Sequence, residues 1–174
     1  MFTKKRVLWA LALVAVVSAL LAVRAVRAAA DGVAGSYLIR ATVPPGAPAG
    51  FPSSFHLLAV FTSDGTIIST DTTDPDPVGR KGQESPGIGV WQMELSRARA
   101  NVTMWSFWAH RNGDPMGVLR VRGSGGIDPA QGNKIIGTAT FDFFEAGNDP
   151  LSGRPDMTFT GGAFEATRLA VVPQ

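Results

Sequence analysis

The sequence predicts an all-β domain, an eight-stranded antiparallel up-and-down β-barrel, and three observations support this prediction. Between Gly35 and Arg168, short apolar or β-branched runs alternate with clusters of Gly, Pro, Asn and Asp. No segment in this part keeps a helical period over ten residues, and the apolar runs number eight. Eight antiparallel strands joined in sequence order close naturally into a barrel, because closure removes both sheet edges.

The eight runs can be followed in order along the chain. The first is GSYLIRATV, in which Tyr37, Ile39 and Ala41 share one face, and a proline-rich segment ends it. FHLLAVF and TIIST follow, joined at Asp64 and Gly65, a pair typical of a tight hairpin turn. The remaining runs are GIGVWQMEL, NVTMWSFWAHR, MGVLRVRG, KIIGTATFDFFE and MTFTGGAFEATRLAV.

Residues 1–30 have the pattern of a secretory signal peptide. MFTKKR is followed by seventeen apolar or small residues from Val7 to Val23, and three alanines precede Asp31. We expect cleavage just before Asp31, which leaves one domain, residues 31–174, in the periplasm or outside the cell. An uncleaved membrane anchor is the alternative, because the apolar run is near the lower length limit for spanning a bilayer.

The charge balance argues against a nucleic-acid partner. The 174-residue chain has a net charge of +2, but residues 1–30 hold five basic side chains and no acidic one. Without them, eleven basic residues face fourteen acidic ones, a net charge of −3. A basic patch on the folded domain is therefore not expected. The chain has no cysteine, so neither a disulfide framework nor thiolate chemistry is available.

Features of the strand runs resemble the calycin superfamily, the lipocalin-like β-barrels. Gly35 and Tyr37 in GSY open the first strand, a DG hairpin follows, and Arg168 in FEATRL closes the last strand. In lipocalins a tryptophan in the first strand is covered by an arginine from the far end of the chain, and the resemblance implies that Tyr37 and Arg168 form this contact here. The layout from Gly35 to Arg168 is most similar to a set of uncharacterised exported bacterial calycin-like proteins.

The stretch NVTMWSFWAHR raises the question of which strand face points into the barrel. Met104, Ser106, Trp108 and His110 share one face, and mixed apolar and polar groups are typical of a ligand site. We therefore expect these four residues to line the lumen, together with Trp91 from the preceding strand. The alternative is that both faces are packed and the interior is filled.

Catalytic and metal-binding patterns are weak in this sequence. Two histidines, His56 and His110, occur without a G-x-S-x-G turn, and no metal-ligand spacing or phosphate-binding loop is present. His110 and Glu94 are the only candidates for moving a proton. We predict no catalytic residue beyond these two, no metal and no cofactor.

Charged residues within the strand runs are a further clue. Arg120 and Arg122 share one face of their strand. We expect this face to be the solvent-exposed outer face of the barrel, because charged side chains are rarely buried without a partner. The alternative is a charged lumen in which they pair with Glu94 or Glu165.

The leading functional hypothesis is an exported barrel that binds a small, mostly apolar molecule in its lumen. A cofactor-free cyclase or isomerase of the allene-oxide-cyclase-like barrel type is the second hypothesis, and a structural or partner-binding barrel without a ligand is the third. An enzyme is thus the less favoured class. The expected partner is a small apolar molecule and not a nucleic acid, and a membrane is contacted only through residues 1–30 if they are retained. The sequence leaves the oligomeric state open.

Overall fold

The computed structural model describes residues 32–44, 53–71, 82–94, 99–110 and 112–170 of the chain. Within this part the elements are β1 (Gly35–Thr42), β2 (Ser54–Phe61), β3 (Thr66–Asp71), β4 (Gly82–Glu84), β5 (Gly87–Glu94), β6 (Arg99–His110), β7 (Pro115–Ile127), β8 (Lys134–Glu145) and β9 (Met157–Arg168). The predicted signal segment, residues 1–30, lies outside the described residues. No helix among those described has the length and hydropathy needed to cross a bilayer.

The strands close into an eight-stranded antiparallel barrel, which confirms the predicted fold class. Neighbours around the barrel are β1, β2, β3, β5, β6, β7, β8 and β9, and β9 returns to pair with β1. All eight predicted runs form strands. The three-residue strand β4 lies outside the eight predicted runs, and it pairs with the last residues of β6 beyond the start of β5.

The predicted hairpin joins β2 to β3. Phe61 lies opposite Ile67, and the backbone N–H of Thr62 donates to the carbonyl of Thr66 at 2.9 Å. Gly65 has a φ of +92°, a conformation that costs glycine little. The Asp64 carboxylate accepts hydrogen bonds from the Thr62 hydroxyl and from the backbone N–H of Thr66. Turn chemistry therefore fixes the register of these two strands.

One end of the barrel is closed by a tight apolar cluster. Tyr37, Phe61 and Trp91 are each at most 6% exposed, and their rings meet edge to face with centroids 5.4 and 5.8 Å apart. The Tyr37 hydroxyl donates to the carbonyl of Val33 at 2.7 Å, so the segment before β1 seals the same end. Burial raises the pKa of the Tyr37 phenol.

Arg168 covers this closed end. Its guanidinium carbon lies 5.8 Å from the centre of the Tyr37 ring, and its Nη2 donates to the carbonyl of Ala34. Gly35 has a φ of +153°, and a Cβ there would lie only 2.8 Å from Arg168 Nε. The three residues expected to form the structural contact, Gly35, Tyr37 and Arg168, thus lie together.

The outer wall carries an apolar stripe across four neighbouring strands. Val60, Ile68, Ile88 and Trp105 lie side by side in register, and Phe107 continues the stripe along β6. Ile88 is 62% exposed and Phe107 is 70% exposed. Trp105 and Phe107 therefore lie on the outer face of β6.

On another part of the outer wall a carboxylate is fully buried. Asp142 and Phe144 alternate outward with Ile136, which is 47% exposed, yet each is 0% exposed. The Arg120 guanidinium lies 4.9 Å from the centre of the Phe144 ring and donates to Asp142, and its Nη1 donates at 3.2 Å to the carbonyl of Pro150 in the β8–β9 connection, residues 146–156. The barrel thus has a small second packing layer outside its wall.

Three residues share the Asp142 carboxylate. Arg120 and Arg122 donate through Nε to its Oδ2 at 3.0 and 2.9 Å, and the Thr158 hydroxyl donates to Oδ1 at 2.9 Å. Burial alone would raise the pKa of Asp142, but the hydrogen bonds from Arg122, Thr158 and Arg120 outweigh it and hold the pKa below its ordinary value. The arginines therefore face outward, as expected, and their partner is Asp142 rather than Glu94 or Glu165.

Asp142→Asn should lower the free energy of unfolding by about 2 kcal/mol at pH 7, because two guanidiniums lose their counter-charge. A lowered native pKa means that the stabilisation is complete above the ordinary carboxyl value of 3.8 and is lost as the pH falls below it. When urea unfolding is measured from pH 7 to pH 2, the free energy of unfolding should therefore fall less steeply with decreasing pH in the variant than in the parent. Glu145→Gln, at an exposed position on the same strand, is the control, and equal losses in both variants would contradict the role of Asp142.

Candidate functional site

The interior of the barrel contains a cavity of about 110 Å³. It lies between the cluster at the closed end, with which it shares Ile39, Phe61 and Ile67, and a second cluster that includes Trp108, Leu119 and Phe141. The aromatic rings of its wall are Phe55, Phe61, Trp108, Phe141 and Phe164. Because inward residues alternate with outward ones on every strand, the wall is built from side chains that are far apart in sequence.

The inner face of β6 supplies one side of the cavity. Met104 and Trp108 line it, and Ser106 between them is 3% exposed. Of the residues expected to bind a ligand, these three therefore lie together on the lumenal face. The Ser106 hydroxyl donates a hydrogen bond to Oε1 of Glu84, which also lines the cavity.

His110 and Trp91 are placed elsewhere by the structure. His110 lies two residues beyond Trp108 at the end of β6, opposite Gly82 of β4; it is partly buried and is not among the described residues of the cavity wall. Trp91 is 5% exposed in the closed-end cluster, where its Nε1 donates to the carbonyl of Thr62 at 2.9 Å. Its role in the structure is packing.

Glu94, the other candidate for proton transfer, lies on the outer wall. It follows Ile88 and Val90 in the outward set of β5, and its Oε2 is 3.5 Å from Nδ2 of Asn101. The structure thus brings neither Glu94 nor His110 to the cavity. Among the described residues, no group of three histidine or acidic side chains is placed to share a metal ion.

Three polar residues of the wall, Ser69, Glu84 and Ser85, were missed from the sequence. Ser69 is 6% exposed and its hydroxyl lies 2.9 Å from the sulfur of Met104. Its position could have been found, because it alternates with Ile67 on β3. Glu84 belongs to the three-residue strand β4, and no apolar alternation in GQE marks that segment as a strand.

One polar atom of the wall has no hydrogen-bond partner within the part of the chain that the structure describes. Trp108 is 3% exposed, and its buried indole N–H makes no hydrogen bond to any described residue. Leaving a buried donor unpaired costs about 1–3 kcal/mol. Trp91, by contrast, has its indole N–H satisfied. The described structure therefore leaves a buried indole N–H without an acceptor at the cavity, which is unfavourable, and pairs the indole N–H at the closed end, which is favourable.

The two tryptophans should respond differently to replacement by phenylalanine. Trp91→Phe removes a made hydrogen bond, whereas Trp108→Phe removes an unpaired buried donor, and both lose the same side-chain volume. We expect Trp91→Phe to be less stable than Trp108→Phe by about 2 kcal/mol in urea unfolding. Equal stability of the two variants would mean that the Trp108 N–H is satisfied in solution.

Comparison with protein-family models, with curated proteins and with solved structures finds no match for this chain. An eight-stranded barrel does not by itself identify the calycin superfamily. Membership of that superfamily therefore stays a prediction, with which the contact between Tyr37 and Arg168 is compatible.

Proposed function

We propose that the chain is an exported barrel that binds a small, mostly apolar molecule in its interior. The observation that carries this proposal is the cavity of about 110 Å³ between the two apolar clusters. A dry apolar cavity of about 150 Å³ can hold a benzene molecule, so the size suits a ligand of about five or six ring atoms. A cavity of this kind favours ligand binding over a barrel with a filled interior.

The expected affinity follows from the apolar area that such a ligand would bury. Each buried CH₂ group contributes about 0.8 kcal/mol, so a five-carbon ring gains about 4 kcal/mol. This corresponds to a dissociation constant of about 1 mM. Cyclopentane is therefore a suitable first probe, and larger dyes are not, because they exceed the cavity.

The cyclase or isomerase hypothesis has less support. Neither Glu94 nor His110 lines the cavity, so neither can reach a molecule bound there without rearrangement. Of the described residues that line it, Glu84 is the acidic one, and its carboxylate accepts a hydrogen bond from Ser106. Any proton transfer inside the barrel would therefore fall to Glu84.

Filling the cavity should abolish cyclopentane binding. A Cβ at Gly123, in the cavity wall, would meet a ring carbon of Phe164 at 3.5 Å, an ordinary contact, so Gly123→Val is sterically acceptable and places methyl groups in the cavity. Binding to the purified full chain can be measured from tryptophan indole chemical shifts in ¹H–¹⁵N spectra. We expect a dissociation constant near 1 mM for the parent and no saturable shift for Gly123→Val.

Thr138→Val is the matched control, because Thr138 is exposed on the outer wall of the neighbouring strand. It should bind cyclopentane as the parent does. Absence of binding to the parent, or equal binding to the parent and Gly123→Val, would contradict the proposal.

Export rests on the signal-peptide pattern of residues 1–30. We expect intact-mass measurement of the protein from an exporting bacterial host to show a chain that begins at or near Asp31. Recovery of the chain with Met1 intact in the membrane fraction would instead indicate an anchor.

A further inference from the structure

The outer wall of the barrel exposes an apolar patch, which consists of the apolar stripe and its three apolar neighbours Leu38, Leu58 and Val90. Strand pairing makes the patch continuous. Leu38 of β1 lies opposite Leu58 of β2, and Ile68 of β3 lies between Val60 and Ile88 of the two adjoining strands. The patch therefore extends over five neighbouring strands of the wall, from β1 to β6.

The patch itself carries no charge. Its neighbours across the strand ladders include Ser36, Thr66, Thr70 and Thr103, which are uncharged. Charged groups lie at its margins: Arg40 is two residues beyond Leu38 on β1, and Arg120, opposite Trp105, is paired with Asp142. Two copies of the patch can therefore meet without repulsion between like charges and without burying an unpaired ion.

The size of the patch corresponds to one side of a protein interface. Its seven most exposed residues are between 39% and 70% exposed. At about 180 Å² for a fully exposed residue of this size, they leave about 650 Å² open to solvent. The largest apolar patch of a typical monomer is about 300–600 Å². One side of a standard interface is about 800 Å², of which about two thirds is apolar at the core, so the patch can supply that apolar part.

We infer that a second copy of this chain docks on the apolar patch, so that the protein is a twofold symmetric dimer whose outer walls pack face to face. In a twofold interface the same surface serves both partners, and an uncharged apolar surface is compatible with itself. Sheets that pack face to face lie about 10 Å apart, and their apolar side chains fill the space between them. Trp105 and Phe107 supply the aromatic rings that are enriched in interface cores. The inference is independent of the proposed ligand, because the patch and the cavity lie on opposite faces of the wall.

Sedimentation equilibrium of the protein purified from an exporting bacterial host tests the inference. We expect the parent to sediment with twice the mass of one chain. Phe107→Arg places one guanidinium from each copy in the apolar contact and should raise the dissociation constant of the dimer at least about 100-fold. Ile88→Lys should have the same effect from another strand, and it keeps the test decisive if Phe107→Arg does not fold. On dilution of the parent, the indole signal of Trp105 in ¹H–¹⁵N spectra should shift more than that of Trp91, which is 5% exposed at the closed end.

Leu151→Arg is the matched control, because Leu151 is 78% exposed in the β8–β9 connection, outside the patch. It should leave the dissociation constant within about twofold of the parent value. A monomeric parent would overturn the inference, and flotation of that monomer with phosphatidylcholine vesicles would identify a lipid surface as the occupant of the patch. A dimer that persists in both Phe107→Arg and Ile88→Lys would use another face and would also overturn it. Cyclopentane binding by the monomer would still support the proposed function, so the two proposals fail separately.

Discussion

The pairing of β1 with β9 is the constraint on which the rest of the structure depends. It joins the first strand of the domain to the last, with Tyr37 opposite Arg168, and so turns a sheet with two free edges into a closed wall. Because the barrel is closed, each strand has one face that points into the interior and one that points outward. The cavity exists because inward side chains from all around the wall meet, and the same pairing places the Arg168 guanidinium over the ring that seals one end.

A closed wall does not make its outer face uniformly solvent-exposed. The outer face of β8 contains Asp142 and Phe144, both fully buried; the Arg120 guanidinium lies against them and is itself hydrogen-bonded to the β8–β9 connection through the carbonyl of Pro150. On the opposite side, Ile88 and Phe107 remain uncovered on the same kind of face. Alternation therefore determines which way a side chain points, and the connections between strands determine whether it meets water.

The sequence predicts the parts of this protein that depend on local patterns. Alternation identified eight strands and the inward face of Met104, Ser106 and Trp108, and the Asp64-Gly65 pair identified the hairpin. Alternation did not show that His110 lies outside the cavity wall, because it gives the face of a residue and not how far along the strand the cavity extends.

The sequence also could not predict the location of residues whose position depends on contacts between strands far apart in the chain. Glu84 lines the cavity only because β4 pairs with the end of β6, and three residues are too few to show a periodic pattern. The sequence shows Asp142 as an ionisable residue in an apolar strand, but not the two arginines that share it. Cavity volume is likewise a property of packing among many strands, so no run of residues indicates it.

The closed end of the barrel and the cavity differ in how completely hydrogen-bonding groups are paired and side chains are packed. This difference distinguishes the region that stabilises the fold from the region proposed to bind a ligand. At the closed end, the Tyr37 hydroxyl and the Trp91 indole N–H both have backbone acceptors, and the rings pack edge to face. Around the cavity the packing is less complete: space is left among aromatic rings, and the Trp108 N–H has no acceptor among the residues described. Sequences selected only for stability would fill such a space and pair such a donor. A fold whose closed end is fully packed can sustain this cost at its centre, and a ligand that fills the space would remove the part that is due to incomplete packing.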